Sequence, residues 1–140
     1  MKKTGLIILM SLILLTAMTI GVFANQVTGN VTTWHKTSQM APPKEVPASG
    51  VTVVIGQNIN IDINPSGSDT IYGKVIARTT TDNKGNFTAN VPSGQNYQMI
   101  LWKKGYTPVS YTINSPGQAN GQIAKSDRLI HNNLNFKEKK

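Results

Sequence analysis

The stretch that decides the fold is Thr79 to Tyr106, TTTDNKGNFTANVPSGQNYQMILWKKGY. It contains three turn signals about ten residues apart. Asp82-Asn83-Lys84-Gly85 is polar and closes on a glycine, which reaches positive φ at no steric cost. Val91-Pro92-Ser93-Gly94 sets φ with proline and releases it with glycine. Lys103-Lys104-Gly105 is the third. Between the turns, Phe87, Ala89 and Val91 alternate with Thr88 and Asn90. Tyr97, Met99 and Leu101 likewise form an inward set, with Gln98, Ile100 and Trp102 facing out. Period-two alternation bounded by such turns predicts an antiparallel all-β meander.

Outward from this stretch, the remaining strands follow the same pattern. Gln26 to Trp34 puts Val27, Gly29, Val31 and Thr33 on one face and Thr28, Asn30, Thr32 and Trp34 on the other. Residues 35–50 hold Pro42-Pro43, Pro47 and Ser49-Gly50, which predict a loop, because proline removes a ladder donor. Val51 to Ile55 is a continuous apolar run suited to a buried strand, and Lys74 to Thr81 resumes the sheet. Val109, Tyr111 and Ile113 mark a sixth strand, residues 118–128 a polar loop, and Leu129 to Phe136 a seventh. Residues 57–73 are an inserted hairpin or long loop: Ile59, Ile61 and Ile63 alternate with polar neighbours before Pro65-Ser66-Gly67-Ser68 breaks the run. No segment carries helical spacing. The prediction is a seven-stranded antiparallel β-sandwich with Greek-key character.

The first residues form an address and not a fold. Lys2 and Lys3 precede an apolar run from Leu6 to Ile20, and Val22-Phe23-Ala24 supplies the short residues of a cleavage site. Residues 1–24 read as a secretory signal, with cleavage after Ala24. The alternative is an uncleaved anchor, for which the run is short against the roughly 20 residues of a span. Residues 25–140 suffice for one domain with one core. The sequence has no cysteine, so no disulfide staples it. The formal charge of +8 falls to +6 without Lys2 and Lys3. Export directs that charge away from nucleic acid and towards surface polymers or solubility, and only Lys137-Glu138-Lys139-Lys140 is a cluster. Membrane contact is expected only transiently, through the signal.

Set side by side, Gly29-Asn30-Val31, Pro47…Gly50-Val51-Thr52-Val53, Thr81-Asp82…Gly85-Asn86-Phe87, Val91-Pro92-Ser93-Gly94…Tyr97 and Lys104-Gly105-Tyr106 resemble the carboxypeptidase regulatory-like domain. The resemblance spans nearly all of residues 25–140. It implies a transthyretin-like (prealbumin-like) sandwich of about seven strands, related to the B-type domains of adhesins. Members are mostly non-catalytic modules attached to peptidases, outer-membrane receptors or surface adhesins. The proline-rich loop 35–50 and the insertion at 57–73 depart from the pattern.

Chemistry is sparse. The only histidines, His35 and His131, sit far apart in sequence and without cysteine, whereas a zinc site needs three or four ligands. Asp62-Ile63-Asn64-Pro65-Ser66-Gly67 opens like a calcium loop, but the twelfth position is Gly73 and not an acid. The transthyretin-like hydrolases share the architecture and end in a Tyr-Arg-Gly-Ser segment that this chain lacks. A hydrolase here would have to bring His35 and His131 into one pocket. The isopeptide bond of B-type adhesin domains would need a lysine such as Lys36 with Asn133 or Asn135 and a buried acid between them; Lys36 lies beyond the apolar part of its strand and Glu45 falls in a loop, so no acid is well placed. No catalytic residue, cofactor or metal is therefore assigned. The candidate ligand surface is the outward pair Trp34 and Trp102, since exposed tryptophan is uncommon and stacks on sugars or apolar side chains; the competing expectation is that the loops at 35–50 and 57–73 cover them. The expected role is a secreted binding or structural module at the cell surface or wall, with polysaccharide or a protein as partner.

Overall fold

The computed structural model describes residues 25–64, 67–93, 95–114, 117–126 and 133–138. The proposed signal, Gly94 of the second turn and His131 lie outside them. The described residues form strands and no helix: β1 (Asn25–His35), β2 (Lys44–Pro47), β3 (Thr52–Asp62), β4 (Ser68–Thr80), β5 (Asn86–Val91), β6 (Tyr97–Trp102), β7 (Tyr106–Thr107), β8 (Val109–Ile113), β9 (Gly121–Gln122), β10 (Ala124–Lys125) and β11 (Asn133–Lys137).

Two sheets pack face to face as a β-sandwich. In the first, β1 pairs antiparallel with β5 through its first half and with β2 through its second. Its other edge takes β9 in parallel. In the second, the order is β11-β4-β3-β6-β8, with β11 parallel to β4 and the rest antiparallel. The expectation of a purely antiparallel structure is thus corrected by two parallel pairings, both made by segments that return from the far side of the chain. The core between the sheets contains Val27, Val31, Phe87, Ala89, Val91, Tyr97, Met99 and Leu101, alternate residues that the sequence pattern placed inward, together with Val53 and Ile55 of the continuous apolar run.

Thr81 ties the chain down where it passes between the sheets. Its hydroxyl donates to Ala48 O at 2.7 Å and accepts from Val51 N–H at 2.9 Å. The next turn follows from its residues. Asp82 Oδ1 accepts the N–H groups of Lys84 and Asn86, both at 2.9 Å. Gly85 closes the turn at φ 78°, where an added Cβ would lie 2.4 Å from Val31 O. No other residue type fits there.

Residues 57–73 form a hairpin and not a long loop: the distal halves of β3 and β4 pair with each other. That hairpin is sharply bent. A straight β3 would carry Asp62 about 33 Å from Thr52 at the usual rise per residue. Yet Asp69, beside the tip, bonds to Trp102, the partner of Thr52 in the ladder. The distal half therefore doubles back over the outer face of its own sheet. The bend falls where the register of β3 and β4 shifts, between Ile55 and Asn60. Asn58 (φ 51°) and Gly73 (φ 115°) supply the left-handed backbone there, and asparagine and glycine tolerate it best. A Cβ on Gly73 would meet Asn58 O at 2.4 Å.

Beneath the folded-back half lies a second core of Val54, Ile59, Ile71 and Ile100, flanked by Ile61, Val75, Leu134 and Phe136. Each fully buried aliphatic side chain contributes about 1.5–3 kcal/mol, which offsets the cost of the bend. Ile100, expected to face out into solvent, does point away from the first sheet, but it is fully buried. The Arg78 guanidinium stacks 4.3 Å from the Phe136 ring centroid and closes this layer at β11.

Candidate ligand-binding face

The two candidate tryptophans have different surroundings. Trp102 is half-buried under the folded-back hairpin, its Nε1 donating to Asp69 Oδ2 at 2.8 Å. It is a packing residue, and its expected exposure is corrected. Trp34 is 55% exposed near the end of β1. The two belong to different sheets and form no common platform. Of the two loops that could have provided cover, only the 57–73 segment does so.

Trp34 stands in a row. Alternation along β1 puts Asn30, Thr32 and Trp34 on the outer face of the first sheet, opposite the buried Val27 and Val31. Glu45 of β2 lies directly across from Trp34, and Gln122 of β9 pairs with Thr32 from the other edge. Glu45 Oε1 accepts from Thr32 Oγ1 at 2.7 Å and from Gln122 Nε2 at 3.1 Å. These bonds, chiefly the one from Thr32, hold the Glu45 carboxyl below its ordinary pKa. The N–H of Asn30 donates to Asn120 Oδ1 at 3.0 Å. The Tyr111 hydroxyl reaches over from β8, accepting the Gln122 N–H at 3.0 Å and donating to Gln122 O at 3.2 Å. Asn30, Thr32, Glu45, Tyr111, Asn120, Gly121 and Gln122 line a cleft of about 400 Å³. Trp34 is the next outward residue along β1 from Thr32 and lies across from Glu45, two of the lining residues.

Alternation in the sequence sets Asn30 and Thr32 beside Trp34, but it does not bring Glu45, Asn120 and Gln122 to them. Glu45 reads as a loop acid in the sequence, because the prolines around it disguise a four-residue strand. Here Pro47 ends β2 on the sheet edge, where a missing donor costs nothing. Asn120 and Gln122 fall in a stretch that reads as polar loop, since β9 is two residues long and too short to show periodicity.

The other candidate chemistry is dispersed. Lys36 follows β1 in the first sheet, while Asn133 and Asn135 lie on β11 in the folded-back layer beyond the second sheet. Glu45, exposed on the outer face, is no buried acid between them. Asp62 and Asn64 flank the hairpin tip, where the N–H of Asn64 donates to Asp69 Oδ1 at 3.0 Å. Among the described residues, no three His, Cys, Asp or Glu side chains gather as a metal site. His35 ends β1, and its proposed partner His131 is outside the described residues.

No protein-family model matches the chain, and the search of curated proteins finds no match either.

Proposed function

We propose that the chain is an exported, non-catalytic β-sandwich module that binds polysaccharide at the cell surface through the outer face of β1. The observation that carries this reading is Trp34, more than half exposed on the outer face of β1, next in line to a cleft of amides, hydroxyls and one carboxylate. An aromatic ring flanked by such groups suits a sugar, which presents an apolar face and a rim of hydroxyls. The cleft holds a single carboxylate, whereas glycoside hydrolysis in most families uses two; this supports binding over catalysis. The address at residues 1–24 supports export.

The relation to carboxypeptidase regulatory-like, transthyretin-like domains belongs to the same proposal. It rests on Asp82…Gly85-Asn86-Phe87, whose turn and core roles suit such a scaffold, and on Lys104-Gly105-Tyr106, with Gly105 at φ 82°. On this reading, the folded-back hairpin and the parallel β11 are additions to a Greek-key sandwich of about seven strands.

The test is retention on a panel of insoluble and soluble polysaccharides, wild type against Trp34→Ala. Loss of retention in the variant supports the proposal; retention that survives the substitution, or none in either protein, removes it.

A further inference from the structure

We infer that the ligand of the Trp34 face is an uncharged pyranose polysaccharide, even though the chain as a whole is strongly basic. The inference rests on the binding reading above and narrows it to a chemical class.

The net charge of +8 invites a polyanion, but the local charge does not. Among the cleft-lining residues the one charged side chain is Glu45, and no lysine or arginine joins it. Lys44 and His35 pair with each other and, by alternation, point to the opposite face from Glu45 and Trp34. Lys36 and Lys84 lie beyond the two ends of the row, Lys84 beside Asn30, whose Nδ2 donates to its carbonyl at 2.8 Å. A uronate, sulfate or phosphate seated on Trp34 would meet the Glu45 carboxylate directly across the strand pair, where Cβ atoms stand about 4.5–5.5 Å apart. Like charges at that separation repel.

The hydrogen-bonding inventory agrees. Oε1 of Glu45 is occupied by Thr32 and Gln122, while Oε2 accepts from none of the described residues. Asn120 uses its Oδ1 on Asn30 and turns no Nδ2 donor to a described partner; Gln122 donates through Nε2 and keeps its Oε1. The cleft thus offers both free acceptors and free donors. A hydroxyl, which donates and accepts, satisfies both kinds. An anionic oxygen only accepts and leaves Glu45 unanswered. An ammonium only donates, leaves the Asn120 amide unanswered, and must approach between Lys36 and Lys84. From Trp34 to Asn30 the row runs about 13 Å at the usual strand rise, enough for more than one ring, so a polymer and not a monosaccharide fits.

The test is affinity electrophoresis of the chain through gels containing a neutral polysaccharide (a β-glucan, a xylan or a galactomannan), polygalacturonate, heparin or chitosan, at low and high salt. Wild type, Trp34→Ala, Glu45→Gln and Glu45→Lys are compared. The expected result is salt-insensitive retardation by at least one neutral polymer. That affinity should fall about tenfold or more in Trp34→Ala and in Glu45→Lys, the loss of roughly one good stacking or charged contact. Retardation that depends on Trp34 but occurs only with a charged polymer, or that Glu45→Lys strengthens, overturns the inference and leaves the binding face standing. Retardation indifferent to Trp34→Ala, or none with any polymer, overturns both. Unchanged unfolding midpoints across the variants confirm that the comparison is between folded proteins.

Discussion

Asp69 Oδ2 accepts a 2.8 Å hydrogen bond from Trp102 Nε1, joining the distal end of the β3–β4 hairpin to the strand end from which that hairpin departs. The carboxylate is fully buried, and its other oxygen accepts the N–H of Asn64 at the hairpin tip. One side chain therefore pins both the fold-back and the tip. The packing beneath supplies the apolar driving force, and Asp69 fixes where the layer comes to rest.

Replacing this anchor should be costly. Asp69→Ala removes the acceptor of the Trp102 indole N–H, which is half-buried under the hairpin. The expected loss is about 1–3 kcal/mol in urea unfolding, the cost of one buried donor left without its acceptor, with a red shift of Trp102 emission measured in a Trp34→Phe background. A loss under about 0.5 kcal/mol with unchanged emission would show that the hairpin stays down without the bond.

The bend should be as sensitive as the anchor. Gly73→Ala puts a Cβ 2.4 Å from Asn58 O at φ 115°, so the backbone must shift and the second core beneath it must open. The variant is expected to lose about 2 kcal/mol or more. Amide exchange should rise in residues 57–73 well before it rises in β1 or β5. Uniform protection in wild type and variant alike would contradict the bent hairpin as described.

Glu45 gives a pH dependence whose sign can be worked out. Its folded pKa lies below the unfolded value because Thr32 first, and Gln122 second, donate to the ionised form. Its contribution to stability is therefore complete above the unfolded carboxylate range and is lost as pH falls through the lowered folded value. The difference in urea midpoint between wild type and Glu45→Gln should shrink on acidification through that window. The side-chain carboxyl should also titrate below an ordinary glutamate by NMR. A midpoint at or above the ordinary value would mean that the two bonds do not hold in solution.

The scaffold was legible where one residue type has one physical job. Gly85 closes its turn because only glycine fits between Val31 O and the positive φ it adopts. The alternation in β1, β5 and β6 announced the first core because a strand with one buried face has no other register. The second core was hidden. Ile59, Ile61 and Ile63 read as an isolated amphipathic run, and nothing local reveals that Ile59 and Ile61 cover the back of their own sheet while Ile63 stays exposed. Ile100 and Trp102 looked exposed for the same reason: alternation tells which side a residue takes, not whether a third layer lies over it. Of the candidate face, Trp34 could be read directly, whereas Glu45, Asn120 and Gln122 came together only through edge pairings too short to leave a pattern.

The folded-back hairpin has a consequence for valency. By covering the middle of the outer face of the second sheet, over Val54 and Ile100, it leaves the outer face of β1 and its partners as the broader open face among the described residues. A molecule with a single such face can be moored to a polymer but cannot, as a monomer, bridge two strands of it. On the proposed binding reading, such a protein would decorate a matrix without cross-linking it.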